Sequence, residues 1–261
     1  ASLSYSFRFI SPFGDRWIFV GLENYIDLFK SSVYQNSLKT TVEFVAWTVL
    51  LGLPFALLVS LFLNNRVFGI SIYRTIFFIP LAISPAMAGV IWIFLFNPNT
   101  GMLNYLLASV GINGPHWRTD PDWALPAIIM VTIWKQLGFN VIIFLAGLQN
   151  VPEELYEAAS IDGANSVARF FSITIPLISP TILFLTVTSI IRSFEAFGSV
   201  HVLTSGGPAN STNLLVYSLY KDAFVNFDTG LASAEAYVIF IIVLIITIFQ
   251  FKFMGKRVHY Q

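Results

Sequence analysis

Five long apolar stretches separated by shorter polar ones organise this chain of 261 residues. A membrane-spanning helix needs about 20 mostly apolar residues. Residues 41–63, 72–96, 123–148, 173–197 and 231–252 all reach that length. The last is the cleanest, with "AYVIFIIVLIITIFQF" free of charge. Prolines break into the other four, at Pro54, Pro80, Pro85, Pro126 and Pro180. Spanning helices tolerate such breaks where neighbouring helices satisfy the freed backbone groups. The pattern predicts an all-α polytopic membrane protein, a single transmembrane domain over 1–261 with five visible spans. The opening residues, "ASLSYSFRF", carry no signal-peptide pattern and read as the outer end of a further apolar segment. A sixth span is therefore expected upstream.

Composition agrees with a bilayer as solvent. The chain is 56% hydrophobic and 11% charged, against about 25% charged in a soluble domain. Its formal net charge of zero argues against an electrostatic nucleic-acid binder. Without cysteine it has neither disulfides nor thiolate metal sites. His116, His201 and His259 are scattered without metal-ligand spacing, so no metal site is expected.

Alternation of spans puts residues 64–69, the segment 151–172 and the tail "KFMGKRVHYQ" on one side of the membrane. The longer, turn-rich 97–122 and 201–230 face the other. Basic residues are evenly divided between the two sides. The positive-inside rule weighs charges close to span ends. Lys252, Lys256 and Arg257 follow the last span closely, which favours a cytoplasmic C-terminus.

The segment "VPEELYEAASIDGANSVARFFSITIP" (151–176) stands apart from its greasy surroundings. Pro152 suits a helix start, and Glu153 and Glu154 complement the positive end of the helix dipole. "EELYEAAS" holds good helix formers, and Asp162-Gly163 is a stop signal. Asn165 or Ser166 can cap a second short helix. The prediction is a helix–glycine–helix elbow between two spans. Ala158 and Ala159 thin one face, and Glu157 offers a charge to a basic partner. A loop that lies on anionic headgroups is usually rich in Lys and Arg. Glu153, Glu154, Glu157 and Asp162 outweigh Arg169 here, so a protein partner fits better.

These residues resemble a family. Glu157, Ala158, Ala159, Gly163, Ile173 and Pro176 match the spaced EAA motif of permease subunits of binding-protein-dependent ABC importers. Ile175 stands where that motif usually has Leu. "FVGLENYIDLF", "YRTIFFIPLAISPAMAGVIWIFLFNPNTG", "TSGGP" and "VHYQ" look like the sugar and glycerol-3-phosphate type of these permeases, the MalF-like family. The resemblance implies a type I importer fold with six spans and a cytoplasmic coupling helix at 151–172. Glu157, Ala158, Ala159, Asp162 and Gly163 would couple it to an ATPase. It also implies the partners: a second, similar permease subunit, two ATPase copies and an external substrate-binding protein. No G-x-x-x-x-G-K-[ST] loop is present. ATP and Mg would be bound by the partner subunits, and this chain is expected to be neither an enzyme nor a cofactor carrier.

Polar residues at membrane depth are expensive and point to function. Lys135 sits well inside segment 123–148, where it needs a cavity, a partner or an anionic substrate. Gln136 and Asn140, four apart, share a helix face near it. Arg192 and Glu195, three apart, lie toward the outer end of 173–197 and can pair with each other or meet substrate. These five are the candidate substrate pathway, set against interhelical hydrogen bonding that only holds the bundle together. Phe194 and Phe197 could stack on a sugar ring, but ordinary packing accounts for them better. An ion-gradient-driven transporter or channel would also explain Lys135 and Arg192, though not the acidic elbow. An intramembrane enzyme has no motif to support it. A sugar or glycerol-3-phosphate-like solute is expected, with neutral oligosaccharide as the alternative substrate.

Overall fold

The computed structural model describes residues 2–11, 17–64 and 70–253. Most of the predicted loop 64–69 and of the basic tail, including Lys256 and Arg257, lies outside the described residues.

The chain opens with α1 (Ser2–Tyr5) and two short strands, β1 (Arg8–Ile10) and β2 (Trp17–Phe19). The strands pair antiparallel with Arg8 opposite Phe19. The span pattern did not predict this ribbon. Its residues are β-formers, and the Arg8 guanidinium lies 4.5 Å from the Trp17 ring centroid, a cation–π contact.

Helices follow as α2 (Glu23–Lys30), α3 (Ser32–Asn64), α4 (Ile70–Ala82), α5 (Pro85–Leu95), α6 (Met102–Ser109) and α7 (Pro121–Gln149). Then come α8 (Glu153–Ile161), α9 (Ser166–Arg169), a π-helical turn Phe170–Thr174 and α10 (Ile175–Leu177). The chain continues through α11 (Ser179–Phe194), α12 (Phe197–Leu203), α13 (Leu215–Tyr220), a π-helical turn Lys221–Val225 and α14 (Thr229–Phe253).

Among the described residues, α3, α7 and α14 are each long and apolar enough to cross a membrane alone. The α4–α5 pair and the run from α9 through α11 qualify only as broken spans. The prolines therefore act unequally. Helix α3 runs through Pro54 and α7 through Pro126. The break before Pro85 has a local cause. A residue preceding proline is disfavoured in the α region, and Ser84 is extended with ψ 152°. Its hydroxyl accepts from the Met87 N–H at 3.2 Å, and Pro85 takes the first helical position, so α5 starts afresh. Between α10 and α11 the helix axis turns by 66°.

The chain divides into two compact units. The first comprises 1–47, 84–132 and 192–244, and the second 48–83, 133–191 and 245–261.

In the second unit, Leu53, Ala56, Val59 and Leu63 form one buried stripe of α3. It packs with Leu137, Val141, Phe144 and Leu148 of α7 at the same helical spacing. Gly138 lets the α4 backbone close in, for a Cβ there would stand 2.8 Å from the Phe77 carbonyl oxygen. Small residues serve this purpose in membrane bundles.

In the first unit α5 meets α12. A Cβ on Gly89 would stand 2.8 Å from Val202, and one on Gly198 2.9 Å from Pro85. The "TSGGP" stretch forms a closed turn, with Ser205 at φ 52° and Gly206 at φ 80°. Thr212 Oγ1 seals it by donating to the Gly207 carbonyl at 2.7 Å. Three bonds tether residues 210–215 to the start of α3. Asn36 Nδ2 donates to the Asn210 carbonyl at 3.0 Å, Asn213 Nδ2 to Ser37 Oγ at 2.7 Å, and the Leu215 N–H to Thr41 Oγ1 at 2.9 Å. Thr41 and Leu215 are both buried. Thr41→Val keeps the shape and orphans the Leu215 N–H, at a cost of about 1–3 kcal/mol. A lower thermal midpoint for the purified valine variant, restored by Thr41→Ser, is the expected result.

Candidate functional site

The elbow is built as its residues dictate. Pro152 is the N-cap of α8 at φ −60°, and Glu153 and Glu154 occupy the first turn. Two hydrogen bonds close the other end. The Gly163 N–H reaches the Ser160 carbonyl at 3.1 Å, and the Ala164 N–H reaches the Ala159 carbonyl at 2.9 Å. This double closure is a Schellman motif, and it requires a left-handed residue at the Gly163 position. Gly163 has φ +80°. Of the two predicted caps for the next helix, Asn165 is the one used: its Oδ1 accepts from the Ala168 N–H at 2.8 Å.

Side chains then lock the two arms together. Arg169 donates to Ser160 Oγ at 2.7 Å. Tyr156 Oη and Thr174 Oγ1 are 2.8 Å apart and hydrogen-bonded, tying α8 to the returning chain. What the elbow leaves outside is mixed in character. Glu157, Ala158, Asp162 and Gly163 are exposed and Ala159 is half-buried. Ile161 is 87% exposed and Val167 65%, and Leu155 and Phe171 are exposed as well. Sequence reasoning missed these four apolar residues. Their signal was present, as apolar positions within an otherwise polar segment.

The predicted pathway residues divide between the two units. In the second unit, Gln136 and Asn140 are buried one turn apart on α7. Lys135, half-buried, turns its ammonium to the end of α4, where Nζ donates to the Pro80 carbonyl at 3.0 Å and to the Ile83 carbonyl. A cation at a helix C-terminus satisfies orphan carbonyls and complements the dipole. In the first unit, Arg192 is half-buried near the end of α11 and Glu195 is exposed just after it. Phe194 is buried. Phe197 packs against Tyr220 at 4.7 Å and His201 at 5.2 Å, the ordinary aromatic packing expected for it. Among the described residues no group of three or more His, Asp or Glu side chains could hold a metal ion.

Broken apolar spans around a rigid, capped, partly apolar elbow define a multi-pass membrane permease. The chain belongs to the family of binding-protein-dependent transport system inner membrane components, whose model matches residues 49–259. It is 42% identical over 245 residues to the sn-glycerol-3-phosphate transport system permease protein UgpA of Agrobacterium fabrum, covering 93% of this chain and 83% of that one. To the UgpA of Escherichia coli O157:H7 it is 36% identical over 261 residues, covering 100% and 88%. Among solved structures it is similar to a bacterial ABC transporter involved in the import of the acidic polysaccharide alginate. The TM-score there is 0.83 at 25% identity, covering 97% of this chain and 88% of that chain. A bacterial alginate transporter in complex with a pentasaccharide-bound periplasmic protein matches with TM-score 0.79 at 27% identity, covering 88% and 81%.

The chain is thus a transport component of the inner membrane, a permease subunit of a binding-protein-dependent importer, with the expected importer-permease fold. Family membership sets aside the ion-driven transporter or channel.

Proposed function

We propose that the elbow is the coupling element through which separate ATPase subunits drive this permease. The observation that carries this reading is apolar exposure on a rigid frame: Ile161 at 87% and Val167 at 65%, on arms locked by the Schellman closure and the Arg169–Ser160 bond. Exposed apolar groups rimmed by polar ones mark a surface for a protein partner, and a helix seats such residues in a groove. Glu157 adds a charge that a basic groove residue can meet.

In this reading ATP and Mg are bound by two ATPase copies. The chain pairs with a second, similar permease subunit and takes its solute from an external binding protein. The solute is a sugar or a glycerol-3-phosphate-like molecule. The relatives' names, sn-glycerol-3-phosphate and an acidic polysaccharide, both denote anions, which favours an anionic solute over a neutral oligosaccharide. Gln136, Asn140, Arg192 and Glu195 are the proposed contributors to the pathway. Lys135 joins them only if it can leave the α4 carbonyls.

Ile161→Asp tests the coupling. The variant is expected to reach the membrane at wild-type level, to retain at most a tenth of the co-purifying ATPase, and to lose uptake in proportion. Wild-type retention of both would sink the assignment. Stimulation of the assembled transporter's ATPase by glycerol-3-phosphate, compared with disaccharides, tests the solute class.

A further inference from the structure

The first arm of the elbow reaches the packed core of the second unit through Tyr156. Of the nine residues of α8, only Tyr156 and Ala159 are half-buried, and the rest are exposed. Ala159 has only a methyl group to offer. The Tyr156 ring packs against the buried cluster that includes Leu148, Val151 and Ile178, and its hydroxyl is hydrogen-bonded to Thr174 Oγ1 at 2.8 Å. From Thr174 the bonding runs on into the span. Thr174 is buried and ends the π-helical turn that follows Arg169. Its carbonyl accepts from the Ile178 N–H at 3.0 Å, and the Ile178 carbonyl accepts from the Ile182 N–H at 2.9 Å. Ile178 stands between α10 and α11, where the axis turns by 66°. Three successive hydrogen bonds thus lead from α8 past the bend into α11.

The bend itself is loosely held. Pro180 has no N–H for the Pro176 carbonyl four residues back, and Ser179 Oγ takes that acceptor at 2.6 Å instead. Pro176 likewise leaves the Ser172 carbonyl without its ladder donor. Kinks arise at prolines and π-bulges, where ladder hydrogen bonds are missing or displaced. A helix lacking those bonds has fewer to stretch when its angle changes. π-helical turns are rare and appear frequently at functional sites.

We propose that the Tyr156–Thr174 contact is the strut that carries displacement of the elbow into the bent span, which rests on the elbow being the coupling element. Tyr156 is then a positioning residue, for it touches no solute and acts through Thr174. Tyrosine suits the task, because its ring is stiff and its hydroxyl fixes the distance to one atom. When an ATPase partner shifts α8, the Tyr156 hydroxyl moves Thr174, and the Thr174 carbonyl moves the Ile178 N–H at the bend. The angle between α10 and α11 is the quantity that the elbow sets. Without the strut α8 still docks through Ile161 and Val167. Its motion then reaches α11 only along the chain, through Gly163 and the π-helical turn, and is lost there.

The chain has no cysteine, so a single Phe184→Cys, on an exposed side chain of α11, takes a bimane label cleanly. The labelled full chain is assembled with its ATPase partners, and bimane emission is read before and after trapping with ATP, Mg and vanadate. Emission is expected to shift on trapping in this parent protein. Adding Tyr156→Phe is expected to shrink the shift at least fivefold, while co-purifying ATPase stays at the parent level. Thr174→Val must do the same, and it decides the matter if Tyr156→Phe is not recovered folded. Thr174→Ser, which keeps the hydroxyl, is expected to keep the shift. A shift of parental size in Tyr156→Phe or Thr174→Val overturns the proposal, because the bond then only stabilises the fold. So does a parent that shows no shift. Loss of co-purifying ATPase by both variants overturns it too, because the bond then shapes the docking surface. Failure of the coupling reading shows elsewhere, as full ATPase retention by Ile161→Asp.

Discussion

Replacing Gly163 by valine is expected to abolish uptake while the protein still accumulates in the membrane. The cause is the backbone, since a Cβ at Gly163 would meet nothing within 4 Å. At φ +80° an L-residue pays about 1–2 kcal/mol, and a β-branched one pays more. The chain escapes that strain by opening the Schellman closure, in which Gly163 and Ala164 bond back to Ser160 and Ala159. The Asn165-capped arm then leaves at another angle, and Ile161 and Val167 no longer present one surface. Gly163→Asn, a residue that tolerates the left-handed region, should retain much of the activity. Uptake and membrane abundance of the two variants, measured together, check this result. Normal transport by the valine form would refute the coupling role.

The second large effect is expected at Lys135. Lys135→Met fills similar space but strips the donor from the Pro80 and Ile83 carbonyls. The Pro80 carbonyl keeps the Ile83 N–H at 3.3 Å, but the Ile83 carbonyl left unpaired costs on the order of 1–3 kcal/mol, and the loss falls where α4 ends. The thermal midpoint of the purified, substrate-free protein should drop, and Lys135→Arg should recover most of it. A kinetic split separates this role from a substrate contact. Unchanged stability with a raised KM would make Lys135 a pathway residue and overturn the capping role.

Those two positions mark how far the sequence could be read. The elbow was legible almost atom by atom. Its caps, its glycine and its opening proline act on backbone groups within four or five residues of themselves, and such short-range chemistry is written locally. The same locality explains the span breaks: Ser84 before Pro85 stops a helix by sterics and restarts it by capping. Lys135 shows the opposite case. Its need for a partner follows from membrane depth, but its partners lie at residues 80 and 83. No spacing rule reaches across that much chain. Glu235 was visible as a carboxylate inside a predicted span, a signal worth following. Its neighbours Tyr34, Ser218 and Asp222 are brought to it from two other segments, the start of α3 and α13 with the turn after it.

Sequence by itself determined the solvent, the all-helical membrane class, the run of apolar segments and the elbow with its family. Hydrophobic length, helix capping and glycine conformation need only nearest neighbours. Only the tertiary structure decided which prolines break a helix, which carbonyls claim Lys135, which apolar residues of the elbow stay uncovered, and which carboxylates share a cavity. Each of these depends on burial and on contacts between distant residues, which packing alone creates.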